Sequence, residues 1–400
     1  MKRIKKVQAG NTATPFRSGV NSMCRTSQNS SGLYAHIPFC KSKCAYCNFY
    51  SEPVSLHDTN RLVQALLKEL SQADTRLVRT IYIGGGSPSC LPLSELEELV
   101  KAIRSKCPNF VEFTIECNPG QVNPEMLELL YNLGVNRISI GAQSFDDNEL
   151  KCLGRIHNSK AIETAMYQAR QVGFKNISLD LIFAICGSTL QKWQESLDHA
   201  IALNPEHISA YSLTIEPETP LGKAIEEGKF SAIDESTDRA MYEQTIDVLT
   251  KAGYEHYEIS NFAKPGYECQ HNIGYWQNRP YIGIGPAAAS STGTCRMQNF
   301  SDIKTYVNAI ESGQSCVEES ILISDIERIC ETAVLNLRTI YGIDIEEFKQ
   351  FTGQNPCLLF EEPIRIHCEQ GLLNIENNRI FLTAKALPIA DYVLCDFASL

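Results

Sequence analysis

Three cysteines in one short segment constrain the fold of this chain more than any other feature. Cys40, Cys44 and Cys47 lie in the run YAHIPFCKSKCAYCNFY with the spacing C-x3-C-x2-C. Three thiolates this close in sequence can hold three irons of a [4Fe–4S] cluster and leave the fourth iron without a protein ligand. A small molecule can bind that open iron and accept an electron, and S-adenosylmethionine (SAM) is the substrate best known for this chemistry.

A structural zinc site is the main alternative for these cysteines. Zinc usually takes four ligands arranged as two separated pairs, and no second pair follows here at that spacing. Cys24 or Cys90 could supply a fourth thiolate if the fold brought it close. Aromatic and imidazole side chains also surround the cysteines, which isolated buried cysteines would not require: Tyr34, His36, Tyr46 and Phe49. We therefore predict a cluster bound by three protein thiolates.

The composition indicates a globular protein in a reducing compartment. The 400 residues are 43% hydrophobic and 21% charged, which suits one large domain and a smaller one. The formal net charge of −11 argues against non-specific nucleic-acid binding. No segment of the sequence approaches the length of a transmembrane helix. The remaining cysteines form no disulfide pattern, so we expect a cytoplasmic protein.

The first 31 residues differ in composition from the rest of the chain. They contain basic residues and no acid, together with many Ser, Thr and Asn. We predict a disordered basic tail over residues 1–31, and Met23 could serve as an alternative start. An organelle transit peptide has a similar composition, but this segment lacks a clear amphipathic apolar face. An organelle location therefore stays the alternative to the cytoplasm.

Strand-like and helix-like patterns alternate from residue 33 to about residue 211, which is typical of parallel βα units. Six strands are fewer than the eight of a closed barrel, so the pattern predicts an α/β fold built on a partial (β/α)6 barrel. The chemistry of such a barrel lies at the carboxyl ends of its strands. The predicted strands are residues 33–37, 80–84, 112–116, 136–141, 176–183 and 207–211.

The pattern changes after Tyr211. We predict one long helix over residues 234–252 and an irregular, aromatic region over residues 254–300. From about Ser320, two helices, a hairpin turning at Asn377-Asn378 and a last helix near 384–396 indicate a smaller α+β, winged-helix-like domain. The predicted units are the tail (1–31), the barrel (32–215), a barrel extension (216–319) and the C-terminal domain (320–400).

Glycines end the second predicted strand. Gly84, Gly85 and Gly86 allow the backbone to approach a ligand closely and to turn without a Cβ clash. A tight strand-to-helix connection is the alternative explanation for them. Because they follow the cysteine segment by one strand, we predict that they bind the amino-acid part of SAM.

Polar residues also mark the later strands. Glu116 closes the third strand, Gln143 follows the fourth, and Asp180 lies inside the apolar run SLDLIF of the fifth. An acid in such a run costs several kcal/mol unless it is paired or hydrogen-bonded. A cationic or hydroxyl-bearing ligand would satisfy it, and Arg155 could form a structural ion pair with any of these acids.

The run QHNIGYW is the second unusual segment. His271 can ligate iron through a ring nitrogen, and Tyr275 and Trp276 can stack on a flat macrocycle. A surface loop with a satisfied histidine is the alternative. A thiolate from Cys269 is a second candidate for an iron ligand in this segment.

The chain resembles the HemW heme chaperones, within the coproporphyrinogen-dehydrogenase-like branch of the radical SAM superfamily. The resemblance covers roughly residues 33–395 and rests on YxHIPFCxxxCxYCxF, GGGSPS, ECNP, IGAQSF, SLDLIF and SAYSLTIEP. It implies that Cys40, Cys44 and Cys47 hold the cluster, and that the HNxxYW motif, with His271, Tyr275 and Trp276, handles heme. It implies SAM contacts for these residues: Tyr34, Gly84, Gly85, Gly86, Glu116, Gln143, Arg155 and Asp180.

Two features favour the chaperones over the dehydrogenases of that branch. The dehydrogenases resemble C-x3-C-x2-C-x-C, whereas Phe49 stands at the last position here, and they carry a longer N-terminal arm than the 39 residues before Cys40. The chain also departs from the chaperone pattern. Residues 184–188 read AICGS where GLPGQ is usual, residues 287–290 read AAAS where Gly-Ala-His-Ser is usual, and Ser87 replaces a Thr.

Three functions follow from this resemblance. The first is a heme chaperone that binds the cluster, SAM and heme and delivers heme to recipient hemoproteins, with peripheral membrane contact and a homodimer left open. The second is an oxygen-independent coproporphyrinogen III dehydrogenase, which oxidatively decarboxylates its substrate. The third is a radical SAM enzyme acting on an unrelated substrate.

Overall fold

The computed structural model describes residues 31–400. The predicted basic tail (1–31) lies outside the described residues except for Ser31, which begins the first strand. The strands are β1 (Ser31–Ile37), β2 (Phe39–Cys40), β3 (Glu52–Pro53), β4 (Val78–Gly85), β5 (Glu112–Cys117), β6 (Arg137–Gln143), β7 (Ile177–Phe183), β8 (His207–Ser212), β9 (Glu255–Glu258), β10 (Asn261–Ala263), β11 (Tyr281–Ile284), β12 (Ala289–Ser291), β13 (Cys295–Asn299), β14 (Val317–Leu322), β15 (Ile343–Asp344), β16 (Leu373–Glu376) and β17 (Arg379–Leu382).

Helices connect most of these strands. They are α1 (Thr59–Gln72), α2 (Leu93–Lys106), α3 (Pro124–Asn132), α4 (Asp147–Cys152), α5 (Ser159–Val172), α6 (Leu190–Ala202), α7 (Pro220–Glu226), α8 (Glu235–Lys251), α9 (Gln270–Trp276), α10 (Ile303–Glu311), α11 (Asp325–Leu337), α12 (Ile345–Thr352), α13 (Pro356–Leu359), α14 (Glu361–Glu369) and α15 (Ala390–Leu394). Among these helices of residues 31–400, none combines the length and the apolar character that a bilayer-spanning helix requires.

One sheet of twelve strands organises the fold, in the order β14-β13-β12-β11-β1-β4-β5-β6-β7-β8-β10-β9. The six predicted strands are β1, β4, β5, β6, β7 and β8, which are neighbours in that order and parallel throughout. Their observed ends differ from the predicted ends by at most two residues. The predicted α/β fold with a partial six-stranded barrel is therefore confirmed.

Side chains of the barrel strands alternate between an apolar and a polar environment, because successive residues of a strand point to opposite faces. Ile81 and Ile83 of β4 are fully buried in the apolar layer that packs against the helices. Tyr82, between them, faces the inside of the barrel, as do Glu116 of β5 and Asp180 of β7. The barrel interior is thus a polar surface enclosed by an apolar outer layer.

Side-chain caps explain where several barrel helices begin. Asp58 accepts a hydrogen bond from the backbone N–H of Arg61 at the start of α1, and Asp234 accepts one from Thr237 at the start of α8. Such caps satisfy backbone donors that have no partner inside the helix. The helix predicted over residues 234–252 is α8, with Asp234 and Ala252 as its capping residues.

Residues 254–300 were expected to be irregular, and this prediction is wrong. The region contains β9 to β13 and α9, and each of these strands has only three to five residues. Strands this short show too few alternations to be recognised in the sequence. β11 pairs in parallel with β1, and β10 pairs antiparallel with β8. The region therefore covers both open edges of the six-stranded barrel.

The C-terminal part is a small α+β unit. After β14, the elements follow as α11, β15, α12, α13, α14, β16 and β17, with a three-stranded sheet in the order β15-β17-β16. This arrangement of helices and strands is that of a winged helix, as predicted. Asn377 and Asn378, both with positive φ, form the turn of the predicted hairpin. The boundary predicted at residue 320 falls inside β14, and the division into units stays a prediction.

Candidate functional site

A cavity of about 550 Å³, here called the upper cavity, lies at the carboxyl ends of the barrel strands. Its volume is in the range of small-molecule sites. Tyr34 and Gly84, two of the predicted SAM contacts, do not line it. Most of the predicted cluster and SAM residues do line it: Cys40, Cys44, Cys47, Gly85, Gly86, Glu116, Gln143, Arg155 and Asp180.

The cysteine segment is held in place by its backbone. Cys40 ends β2, and the N–H of Cys47 donates to the carbonyl of Cys44 at 3.3 Å. Between them, the N–H of Ala45 donates to the carbonyl of Leu153 (2.9 Å), and the carbonyl of Ala45 accepts from the N–H of Leu221 (2.8 Å). These contacts fix the loop on which the three thiols stand.

The three cysteines fit a cluster with an open iron. The described residues contain no group of three His, Cys, Asp or Glu side chains placed to hold a single metal ion. A [4Fe–4S] cluster makes a different demand, because each thiolate binds its own iron and the sulfurs surround a volume instead of converging on one point. Cys40, Cys44 and Cys47 all face the upper cavity. Burial raises the pKa of the Cys40 and Cys47 thiols, which favours the protonated form of each while no cation is bound.

The glycine turn is required by packing against the cysteine segment. A Cβ on Gly86 would lie 2.5 Å from the carbonyl oxygen of Phe39, the residue before Cys40. The N–H of Gly86 donates to the carbonyl of Ile37 at 2.8 Å. Gly85 adopts φ +116°, in the region that favours glycine. A Cβ on Gly84 would lie 2.8 Å from the carboxyl carbon of Glu116. The turn thus joins the cysteine loop to the acid on the neighbouring strand.

Arg155 connects the cysteine loop to the barrel. Its Nη1 donates to the sulfur of Cys44 at 3.3 Å, and its Nη2 donates to the carbonyl of Gly141 at 2.8 Å. The structural ion pair between Arg155 and one of the acids, which was the alternative to a ligand contact, is therefore not formed. The loop after α4 brings the guanidinium next to Cys44. The strand pattern of the sequence did not reveal this placement.

Glu116 is a partly buried acid in the upper cavity wall. Its carboxylate accepts from the hydroxyl of Tyr82 at 2.9 Å and from the N–H of Gly85 at 3.1 Å. Burial raises the pKa of Glu116 to about 7, and the hydrogen bond from Tyr82 acts in the opposite direction. Glu116 therefore changes charge near neutral pH.

Asp180 is satisfied by hydroxyl groups. Its two carboxylate oxygens accept from Ser139 (2.8 Å), Ser209 (2.8 Å) and Ser178 (3.3 Å), which lie on β6, β8 and β7. Burial raises the pKa of Asp180, and these hydrogen bonds lower it in part. The protein itself thus supplies the partners that were expected from a ligand or from Arg155.

Gln143 and Tyr34 have different surroundings. Gln143 ends β6 with φ +68°, an uncommon backbone conformation for a residue with a side chain, and it lines the upper cavity. The hydroxyl of Tyr34 contacts Nδ1 of His36 at 2.9 Å, and Nε2 of His36 contacts the carbonyl of Tyr50 at 3.1 Å. This chain ties the first strand to the segment just after the cysteines.

The alternative fourth cysteines take other positions. The thiol of Cys90 donates to the carbonyl of Phe39 at 3.4 Å and does not line the upper cavity. Cys117, which was not one of these alternatives, does line it, and burial raises the pKa of its thiol to about 12. Cys24 lies outside the described residues.

A second cavity of about 430 Å³, here called the lower cavity, lies at the amino ends of the strands. Tyr281 and Arg79 line it, with His271 and Tyr275 of α9. Asn272, the neighbour of His271, lines the upper cavity instead. Helix α9 therefore separates the two cavities and contributes side chains to both.

His271 is buried and has partners on both ring nitrogens. Nδ1 contacts the hydroxyl of Thr80 and Nε2 contacts the hydroxyl of Tyr275, both at 2.9 Å. The N–H of His271 donates to the carboxylate of Glu112 at 2.9 Å, which anchors the start of α9. Burial lowers the pKa of His271 to about 3. The segment is thus a short helix with a buried, neutral histidine.

The other two candidates from this segment do not join His271 in the lower cavity. Trp276 does not line it, and its indole ring lies under the guanidinium of Arg338 at 5.0 Å. Cys269 is fully buried with its thiol against Glu112 at 3.5 Å, and burial raises its pKa to about 12. Tyr275 is the only one of the three that faces the same cavity as His271.

Sequence reasoning missed several polar residues of the upper cavity. These residues face the barrel interior and alternate with apolar residues along their strands, so the two-residue alternation is the signal that would have found them. They are Tyr82, Arg137, Ser139, Ser209 and Tyr211. Asn272 was missed for another reason, since the segment was not expected to be helical.

Comparisons with known proteins identify the family. Residues 34–200 match the model of the radical SAM superfamily, and residues 323–389 match that of the HemN C-terminal domain. The chain is 34% identical over 372 residues to the heme chaperone HemW of Bacillus subtilis, covering 91% of this chain and 98% of that protein. The chain belongs to the HemW family of the radical SAM superfamily.

Other members and a solved structure extend this HemW relationship. A zebrafish relative named radical S-adenosyl methionine domain-containing protein 1, mitochondrial, is 30% identical over 381 residues, or 90% of this chain and 85% of that protein. Coproporphyrinogen III oxidase (HemN) from Escherichia coli superimposes with a TM-score of 0.83 over 96% of this chain and 94% of that chain. At 22% identity, HemN shows that the fold is shared.

Two departures from the HemW pattern have a common structural feature. Ala184 has φ +57° and Ala287 has φ +59°, and each stands where the resemblance has glycine. Left-handed backbone is about 1–2 kcal/mol less favourable for a residue with a Cβ than right-handed helix. These two alanines therefore hold strain that glycine would remove.

Proposed function

We propose that this chain is a heme chaperone that binds a [4Fe–4S] cluster, SAM and heme and delivers heme to recipient hemoproteins. The observation that carries the proposal is the match to a heme chaperone over 98% of that protein's length. Phe49 at the position of a fourth motif cysteine also supports a chaperone, since the dehydrogenases of the same branch have cysteine there.

The upper cavity is the proposed site for the cluster and SAM. Cys40, Cys44 and Cys47 would each bind one iron, and the open iron supplies the site at which SAM can bind and be reduced. Arg155 would stabilise the negative charge on the sulfur of Cys44, to which it already donates. The proposed SAM contacts that line this cavity are Gly85, Gly86, Glu116, Gln143, Arg155 and Asp180. Tyr34 and Gly84 do not line it and stay proposed contacts on the resemblance alone.

The lower cavity is the proposed site for heme. His271 offers a neutral imidazole, which is the form that ligates iron, and Tyr275 and Tyr281 offer aromatic faces. The hydroxyl of Tyr275 must move away from Nε2 before iron can bind there. Trp276 would support heme only through the position of α9, because its ring lies under Arg338.

Recipient hemoproteins are the proposed protein partners, and no nucleic acid is expected at a net charge of −11. We propose a cytoplasmic location. The organelle alternative follows from the acid-free N-terminus and from a relative named as mitochondrial. Fusion of residues 1–30 to a fluorescent protein would decide between the two, because import of the fusion would contradict the cytoplasmic proposal.

One experiment separates the chaperone from the dehydrogenase. Anaerobically reconstituted protein is loaded with heme and mixed with an apo-hemoprotein, and in parallel it is incubated with SAM, reductant and coproporphyrinogen III. Transfer of heme without formation of protoporphyrinogen IX is the expected result. Turnover of coproporphyrinogen III at an enzymatic rate, with no heme transfer, would replace the chaperone with the dehydrogenase.

A further inference from the structure

Arg137 is a buried arginine at the floor of the upper cavity. It is the first residue of β6, its exposed fraction is 2%, and it lines the cavity from the end opposite to the cysteines. Within residues 31–400, its Nε has no hydrogen-bond partner. A guanidinium nitrogen that is buried without a hydrogen-bond partner is unfavourable, so the position of Arg137 requires an explanation.

The neighbouring acids do not provide that partner. Glu112 uses its carboxylate oxygens for the backbone N–H groups of Gln270 and His271, both at 2.9 Å. Glu116 accepts from Tyr82 and from a backbone N–H of the glycine turn. Asp180 is occupied by three serine hydroxyls. All three acids are thus satisfied by neutral donors, and the positive charge of Arg137 is left facing the cavity.

The remaining groups around Arg137 are kept neutral. Burial lowers the pKa of His207, whose ring nitrogens contact Ser178 and Tyr257, and it raises the pKa of Tyr82 and Tyr257. Asn272 faces the same floor from α9. The floor of the upper cavity therefore offers a planar, permanently charged fork of donors whose neighbouring acids already have hydrogen-bond partners, and this fork matches a carboxylate in shape and charge.

We propose that Arg137 is the receptor for a ligand carboxylate at the floor of the upper cavity. Two ligands of the proposed function carry carboxylates, namely SAM and a tetrapyrrole with propionate side chains, and only their identity rests on that function. The span from Arg137 to Gln143 along β6 is about 20 Å. A SAM molecule whose amino-acid part binds the open iron at the far end cannot place the same carboxylate on Arg137. The position of Arg137 therefore favours a propionate, which would extend from heme at His271 past α9 to the floor of the upper cavity.

Masking the carboxylate on the ligand tests this assignment. Dissociation constants are measured for heme and heme dimethyl ester, and for SAM and decarboxylated SAM, with wild type, Arg137→Met and Arg137→Lys. Loss of a charged hydrogen bond predicts that Arg137→Met weakens heme binding roughly 10- to 100-fold and leaves the ester unchanged. Arg137→Lys is expected to lie between, because lysine keeps the charge and loses the fork.

A matched control addresses folding. Arg170→Met removes a partly buried arginine that pairs with Glu206 outside the cavity, and it should leave all four dissociation constants unchanged. The double variant Glu112→Gln/Arg137→Met tests a structural role, since removal of the nearby acid would restore binding if charge balance alone mattered. Restored heme binding in the double variant would overturn the proposal.

The other outcomes are equally decisive. If Arg137→Met weakens SAM but not decarboxylated SAM, the receptor is confirmed and its carboxylate is that of SAM. If Arg137→Met leaves the ratio of the dissociation constants of each carboxylate ligand and its masked form at the wild-type value, the proposal is wrong. If the wild type does not bind heme at all, the proposed function fails, and the SAM pair alone decides the role of Arg137.

Discussion

The upper and lower cavities use burial to opposite effect. In the upper cavity, burial raises the pKa of Glu116 to about 7 and also raises that of Asp180. In the lower cavity, burial lowers the pKa of His271 to about 3. The cause is the same at both ends, because a low-dielectric environment disfavours the charged form of any group.

The difference shows how one barrel can offer two kinds of chemistry. At the upper end, Glu116, whose pKa is about 7, gains charge when a cationic ligand approaches, which suits the sulfonium of SAM. At the lower end, the histidine stays neutral and keeps a lone pair for a metal. Helix α9 lies between the two ends and contributes side chains to both.

The largest expected effect belongs to the upper cavity. Replacing Cys40, Cys44 or Cys47 by Ala should abolish the cluster, because two thiolates cannot anchor three irons. Iron content and the visible absorbance of anaerobically reconstituted protein measure this. Heme binding in the lower cavity should persist, which separates the two sites.

Cys90→Ala and Cys117→Ala are the controls and should keep full iron content. A loss of iron in Cys90→Ala or in Cys24→Ala as complete as that of the three would mean four protein ligands.

The next effect belongs to the lower cavity. His271→Ala should weaken heme binding by about two orders of magnitude or shift the Soret band, since an imidazole–iron bond contributes several kcal/mol. Tyr275→Phe should strengthen heme binding, because it removes the hydroxyl that contacts Nε2. Heme titrations followed by absorbance measure both. A larger spectral change in Cys269→Ser than in His271→Ala would instead assign the iron to the thiolate.

The pH dependence of SAM binding tests the ionisable groups of the upper cavity and not those of the lower cavity. If the carboxylate form of Glu116 binds SAM, affinity should rise by up to about tenfold per pH unit below pH 7 and level off above it. Glu116→Gln should remove this slope, as calorimetric titrations at several pH values would show. Heme ligation should lack such a step between pH 5 and 8, because His271 stays neutral there. An unchanged slope in Glu116→Gln would exclude this carboxyl group.

The same raised pKa affects stability in a defined direction. Folding raises the pKa of Glu116 above the ordinary value of 4.5, so the folded state binds the proton more tightly. The free energy of unfolding therefore falls as pH rises from 4.5 to 7, by about 3 kcal/mol from this group. Denaturant unfolding of the apo protein at several pH values should show that Glu116→Gln removes this part of the pH dependence of the unfolding free energy.

The smallest expected effect is on stability, and it comes from two alanines with positive φ instead of from an ionisable group of either cavity. Ala184→Gly and Ala287→Gly should each raise the free energy of unfolding by about 0.5–1 kcal/mol, because glycine relieves the positive φ at some loss of chain entropy. Thermal unfolding measures the gain, and Ala309→Gly in the middle of α10 is the control that should destabilise. Destabilisation by both loop substitutions would show that the alanine side chains are needed for packing.

The sequence predicted the barrel well because its six strands are long and apolar enough to show their period, and because the three cysteines are adjacent in the chain. It predicted that Asp180 lies inside an apolar strand and needs a partner, but it did not reveal the serines that provide one. The serines around Asp180 come from three strands, and Arg155 reaches Cys44 across 111 residues of sequence. Such pairings depend on how strands and loops meet in space. Arg137 escaped notice for the same reason.

The position of Trp276 gives the molecule an internal optical reporter. The chain has two tryptophans, and they differ in environment. Trp193 is buried under α8, where its indole N–H donates to Thr245 at 2.9 Å. Trp276 ends α9 beneath Arg338, and its indole N–H has no partner within residues 31–400. A displacement of α9 would alter the fluorescence emission of Trp276 and leave that of Trp193 unchanged. In a Trp193→Phe variant, the remaining emission would therefore report on α9 alone, the helix between the two cavities.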